Sequence, residues 1–146
     1  MEITRIPVVI DGKPAGYAKG TKVTGASGII FMSGRCGRDD ETGKNIEGAG
    51  EQTKLALGKI KQGLEELGST LENILHIWSY TKGDFPNGMS NDPRRAEISE
   101  ATQEFWKENC PQFMRENNPP AGTAIGVGAL GQAEWLIEIQ VVAAAP

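Results

Sequence analysis

The spacing of apolar residues changes period several times along the chain, and each change predicts an element. Val8-Val9-Ile10 is a short apolar run closed by Asp11-Gly12, a dipeptide that favours a hairpin turn. Gly28 to Gly34 is a second apolar run bracketed by glycines, and its lack of alternation predicts a strand buried on both faces. Arg35 to Gly50 is polar and glycine-rich and predicts a loop. From Glu51 to Leu67 the period becomes helical, with Leu57, Ile60, Leu64 and Leu67 on one face. Glu51 puts negative charge near the favoured end of that helix, and Gly68 supplies its stop. Ser69-Thr70-Leu71-Glu72 has capping-box spacing and predicts a short helical turn.

Ile74 to Thr81 alternates as a strand, with Leu75, Ile77, Ser79 and Thr81 on one face and His76, Trp78 and Tyr80 on the other. Gly83 to Asn91 predicts a loop. Asp92-Pro93 then opens a second helix as N-cap and first-turn proline. Ile98, Ala101, Phe105 and Trp106 form its inner side, and Cys110-Pro111 ends or kinks it. Asn117-Asn118-Pro119-Pro120 is a stiff turn. Thr123 to Leu130 predicts a strand of small residues, and Trp135 to Ala144 a long apolar terminal strand. The order is β-β-α-β-α-β-β with no repeat or linker, so one domain over residues 1–146 is expected. It is an α+β layer with two helices on one face of a sheet.

Composition narrows the chemistry. The net charge is −4, which argues against a nucleic-acid partner. No apolar stretch approaches the roughly 20 residues of a membrane helix, and the N-terminus has no basic region followed by an apolar run. Cys36 and Cys110 form no CxxC pattern, so the expectation is a cytoplasmic protein with free thiols, no membrane partner and no zinc. The single histidine, His76, excludes a multi-histidine metal site. The 19 glycines exceed the usual share of about 7%. None of them forms a phosphate-binding pattern, so no nucleotide cofactor is indicated.

Several stretches together resemble the RidA family, also called YjgF or L-PSP. They are Gly16-Tyr17-Ala18-Lys19-Gly20, Ile30-Phe31-Met32-Ser33-Gly34, Gln52, and Leu67-Gly68-Ser69-Thr70-Leu71-Glu72-Asn73-Ile74, followed by Phe105-Trp106, Pro120-Ala121 and Ile137-Glu138-Ile139. Each motif is weak alone, whereas their order and spacing are specific. The resemblance implies a chorismate-mutase-like α+β fold on a mixed sheet, a homotrimer with three clefts between subunits, and a small-molecule substrate. It also implies hydrolysis of reactive enamines and imines to keto acids and ammonia without metal or cofactor.

The resemblance implies site residues as well. Glu138 and Ser33 match positions that handle water and carbonyl groups. Tyr17, Gly34, Arg35, Ser99, Ala121, Gly122 and Thr123 fall at or beside the substrate cleft. Glu138 lies between Ile137 and Ile139, so it points away from its apolar neighbours, and a partly shielded carboxylate can position or deprotonate water. By residue pattern alone Glu138 is equally a solvated strand residue or an intersubunit ion-pair partner. By the same pattern Ser33 reads as a strand-end serine and His76 as a satisfied sheet or interface histidine, while Tyr17 reads as a cleft wall or a loop anchor.

The chain departs from the family pattern at Gly122 and Ala124, and Ser99 stands where the family places a pocket asparagine on the second helix. The arginine that follows Pro-Ala and grips the substrate carboxylate is Gly122 here, and the cysteine two residues later is Ala124. Without that guanidinium fork a standard 2-imino acid is a poor expectation. Either another cation replaces it, with Arg35 first and Arg94 or Arg95 next, or Gly122 opens room for a bulkier substrate. A non-catalytic binding module and, given the acidic balance, a less favoured ribonuclease are the alternatives.

Overall fold

The computed structural model describes residues 1–146. Nine strands and helices follow in the order β1 (Glu2–Ile10), β2 (Lys13–Thr24), β3 (Gly28–Phe31), β4 (Arg35–Cys36), α1 (Ala49–Glu66), β5 (Ile74–Lys82), α2 (Pro93–Asn109), β6 (Ala121–Val127) and β7 (Ile137–Ala145). Short 3-10 turns at Leu71–Asn73 and Pro111–Phe113 precede β5 and follow α2. One mixed sheet runs β1-β2-β6-β5-β7-β3, with β4 also paired to β7. β5 and β6 are parallel and joined by α2, as a parallel pair requires a crossover, whereas β5–β7, β3–β7 and β1–β2 are antiparallel. No helix is long and apolar enough to cross a membrane.

The hairpin turn expected at Asp11-Gly12 forms, and both residues have positive φ (51° and 75°), the backbone that matches strand twist in a two-residue loop. Its second arm, β2, is absent from the sequence reading. Lys13, Lys19, Thr21, Lys22 and Thr24 give it little apolar signal, so pairing to β1 and β6, not hydrophobicity, defines it. The β1–β2 register slips on either side of Pro7.

Both helices form close to their expected bounds. Gly48 precedes α1 without a side-chain cap, and the Glu97 carboxylate of α2 instead accepts from the Gly50 N–H at 3.0 Å. The C-terminal end closes by a Schellman arrangement. Ser69 N–H donates to the Leu64 carbonyl and Gly68 N–H to that of Glu65, with Gly68 at φ 74°. That geometry turns Leu67 outward to 57% exposure, against its expected place on the inner face. At α2 the Asp92 side chain accepts from Arg94 N–H at 2.9 Å, the cap that the Asp-Pro pair predicts.

The core lies between the helices and one sheet face. Ala56, Leu57, Ile60 and Leu64 of α1 and Ile98, Phe105 and Trp106 of α2 meet Ile137, Ile139, Val141 and Ala143 of β7. Trp106 packs edge-to-face on both Phe105 and Phe113. Burial of each large side chain contributes about 1.5–3 kcal/mol. The opposite sheet face carries no helix. β3 is therefore not buried on both sides as its apolar run predicted: Phe31 is 77% exposed and stands beside Val142 on the open face. The strand expected over Gly28 to Gly34 ends at Phe31, and the following loop contains the two-residue strand β4. β6 spans Ala121–Val127 rather than Thr123 to Leu130, and β7 begins at Ile137, two residues after Trp135, whose indole N–H instead donates to Asn45 at 2.9 Å. Cys36 and Cys110 are both buried and free.

Candidate functional site

β7 separates its side chains as the sequence predicts: Ile137, Ile139 and Val141 enter the core, while Glu138 and Gln140 face the open side and are half-buried. Glu138 makes no ion pair or hydrogen bond with its side chain. Its carboxyl group lies directly over Gly34, where an added Cβ would stand 2.8 Å from Cδ. Only glycine at position 34 leaves room for the carboxylate in this place. Together with Arg35, Cys36, Arg38, Asp40, Lys59 and Trp135, these two residues line a cavity of about 340 Å³ at the sheet edge.

Arg35, the first candidate to replace the missing arginine, is committed elsewhere. In the register it lies opposite Ile139, while Cys36 lies opposite Glu138. The Arg35 side chain thus turns toward α1 and pairs with Asp40 at 2.7 Å, which also meets Lys59 at 3.3 Å. Arg94 is committed too, since its guanidinium donates to the Lys82 carbonyl and ties α2 to the end of β5.

A second, larger cavity of about 670 Å³ opens between α2 and strands β5 and β6. Tyr17, Ser99, Ala121, Gly122 and Thr123 all line it, so five of the expected binding residues stand together, with Ala124 beside them. At Gly122 the space a Cβ would enter is bounded by the Ile77 carbonyl oxygen at 3.3 Å. Arg95 reaches this cavity. So does Arg115, which the sequence reading did not single out, because Met114-Arg115-Glu116 looks like any polar surface stretch. The turn at Pro111–Phe113 folds that stretch back, and Arg115 N–H donates to Gln103 Oε1 at 2.9 Å. The Arg115 guanidinium packs beside Gly16, whose φ of 85° and missing side chain allow the approach.

The expected residues therefore fall into two groups on one protomer, Glu138 with Gly34 and Arg35 in one cavity and the Gly122 group in the other. Ser33 is exposed and lines neither cavity.

His76 stacks on Trp78 with ring centroids 4.0 Å apart, and its Nε2 lies 3.4 Å from Thr123 Oγ1. Burial pushes its pKa below the ordinary 6.5, which favours the neutral ring. Burial pushes the Cys110 thiol up to about 11, so it is an inert core group. No three His, Cys, Asp or Glu side chains come together as metal ligands. Gly126 and Gly83 accommodate the Phe85 ring, which explains a glycine inside β6 without a ligand.

The model of the family described as endoribonuclease L-PSP matches residues 13–145. A RutC family protein of Pyrococcus abyssi is 31% identical over 135 residues, covering 90% of this chain and 88% of that protein. Among solved structures, YyfB of Yersinia pestis, a Rid family protein described as of unknown function, superposes with a TM-score of 0.72 at 21% identity, covering 99% of each chain. TdcF of E. coli, solved with bound serine, superposes with a TM-score of 0.64 at 20% identity over 97% of this chain and 94% of that one.

Proposed function

Since this chain belongs to the RidA family of Rid, YjgF and L-PSP proteins, we propose that it is a hydrolytic deaminase of an enamine, imine or related small metabolite other than a standard 2-imino acid. The observation that carries this reading is Glu138, an uncommitted carboxylate held over Gly34 at a cavity wall while Gly122 leaves the arginine position empty. Glu138 takes a proton from water as the oxygen attacks the imine carbon. That proton then passes to the nitrogen to give a carbinolamine, the hydroxyl proton of the adduct follows it by way of the same carboxylate as the C–N bond breaks, and ammonia and a carbonyl compound are left. A small amine-bearing ligand is consistent with the serine held by TdcF of E. coli.

The working unit in this reading is a homotrimer. Glu138 and the Gly122 group occupy separate cavities of one protomer, and a cleft between subunits joins the first cavity of one copy to the second cavity of its neighbour. The test is ammonia release from a panel of enamines and imines. Glu138→Gln is expected to lower kcat by about 10²–10⁴-fold, with binding retained. Mixing Glu138→Gln protomers with protomers altered at Gly122 is expected to restore part of the activity, because some clefts then receive two intact halves. Full activity in Glu138→Gln would remove the carboxylate from the mechanism.

Binding without turnover across the panel would favour the non-catalytic module instead. The ribonuclease reading has the description of the matching family model in its favour; RNA cleavage lost in Glu138→Gln would support it.

A further inference from the structure

The larger cavity carries charge that nothing in the protomer neutralises. Apart from Tyr17, its only ionisable lining residues are Arg95 and Arg115, and no carboxylate faces it. Neither arginine takes part in an ion pair. Arg115 has only neutral acceptors, the Ser99 hydroxyl and the Ala15 carbonyl, each at 3.3 Å. The Arg95 side chain is half-buried and makes no hydrogen bond.

Each feature of Arg95 opposes its charge. It sits in the first turn of α2, where the helix dipole disfavours a cation, and no acidic residue shares that turn. Desolvation and the positive charge of Arg115 both lower its pKa. Two guanidinium groups on one cavity with no countercharge repel each other, and a bound anion would relieve that repulsion while supplying acceptors for both forks.

We propose that Arg95 and Arg115 together form the anion subsite of this cavity and select a small organic molecule carrying two negative charges over one carrying a single charge. The inference rests on the reading that this cavity is the binding half of the site. It also gives Gly122 a physical meaning: the anion is gripped from α2 and the turn after it, and a third arginine on β6 would add repulsion. Ile77, Pro119 and Pro120 supply apolar wall for a short carbon body, and Tyr17 and Ser99 supply hydroxyls beside it. The doubly charged group can be a dicarboxylate or a phosphate monoester, and the experiment separates them.

The experiment is isothermal titration of the full-length protein with glutarate, glycerol 3-phosphate and butyrate. Glutarate or glycerol 3-phosphate is expected to bind at least about tenfold more tightly than butyrate, and the tighter of the two identifies the second charged group. Arg95→Met and Arg115→Met are each expected to weaken that binding about ten- to a hundredfold. Arg95→Lys keeps the charge but loses the planar fork, and is expected to fall between. Lys107→Met, at the far end of α2, is the control and leaves binding unchanged. Circular dichroism melting confirms that each variant is folded.

The inference is overturned if butyrate binds as tightly as both dianions, if no dianion binds, or if binding survives the double Arg→Met variant. Repeating the titration on Glu138→Gln separates this inference from the deaminase reading. Tight dianion binding to a protein that turns over no substrate keeps the subsite and discards the reaction. Turnover without dianion preference does the reverse.

Discussion

At the scale of single residues, Gly34 and Glu138 behave as one unit. The glycine is required by the carboxylate above it and not by backbone conformation, since its φ is not in the left-handed region. Gly34→Ala would drive its Cβ against Glu138 Cγ and Cδ, and the far end of that flexible side chain can swing away. The expected outcome is a folded protein whose melting temperature changes little and whose ammonia release falls about tenfold or more, because a misplaced base no longer reaches the water. Paired thermal melts and rate measurements check it. His76 gives a different kind of prediction. Its pKa is lowered in the folded state, so the unfolded chain binds the proton more readily. Stability from this group is full above about pH 6.5 and is lost as the pH falls through the lower folded value. Urea unfolding between pH 7.5 and 5 is expected to show that decline, and His76→Phe, which keeps a ring on Trp78, is expected to flatten it.

At the scale of elements, Gln52 shows how a buried polar side chain can organise a site it does not enter. Nearly fully buried in α1, it donates to the Ile46 and Glu134 carbonyls, both at 2.9 Å, and accepts from Leu136 N–H at 2.8 Å. It therefore pins the loop before α1 and the segment that leads into Glu138. Gly37 lies so close that a Cβ there would fall 2.1 Å from Gln52 Cγ. Gln52→Leu keeps the volume and strands three backbone groups, for an expected loss of about 3 kcal/mol in denaturant unfolding. The substitution is also expected to raise KM as the β7 entry loosens. Helices were legible in sequence because Leu57, Ile60, Leu64 and Ile98, Phe105 and Trp106 repeat at the period that burial enforces. The second hairpin arm was not, because Lys13–Thr24 carries no local apolar pattern and is fixed by its backbone pairing to β1 and β6. The same reason hid Arg115 from the site: its position depends on the turn at Pro111–Phe113 and on Gln103, not on any local pattern.

For the whole molecule, the sheet has one face that carries the helices and one that presents Ile29 and Phe31 beside Val142 and Trp78. A Phe at 77% exposure on an apolar face is where copies would pack in the trimer proposed above. Phe31→Asp is expected to shift sedimentation from trimer toward monomer and to abolish turnover in parallel, since the shared clefts vanish with the assembly. A trimer that persists in this variant would place the contact elsewhere. Layer architecture and the family match were both readable from residue order, and the placing of Glu138 and Gly122 in separate cavities was not. That division depends on which strand face each residue leaves from, and Glu138 and Gly122 leave from opposite sides of one sheet.

The slipped register around Pro7 has its own consequence. β1 is the outermost strand, and Ile6, Val9 and Ile10 on it are more than half exposed. Such an edge invites further strands to add, copy upon copy, into fibrils. Pro7 offers no N–H to an incoming chain, and the two breaks in pairing that flank it bend the edge out of line. An apolar border can thus persist at this free edge, because the backbone around Pro7 is a poor template for a further strand.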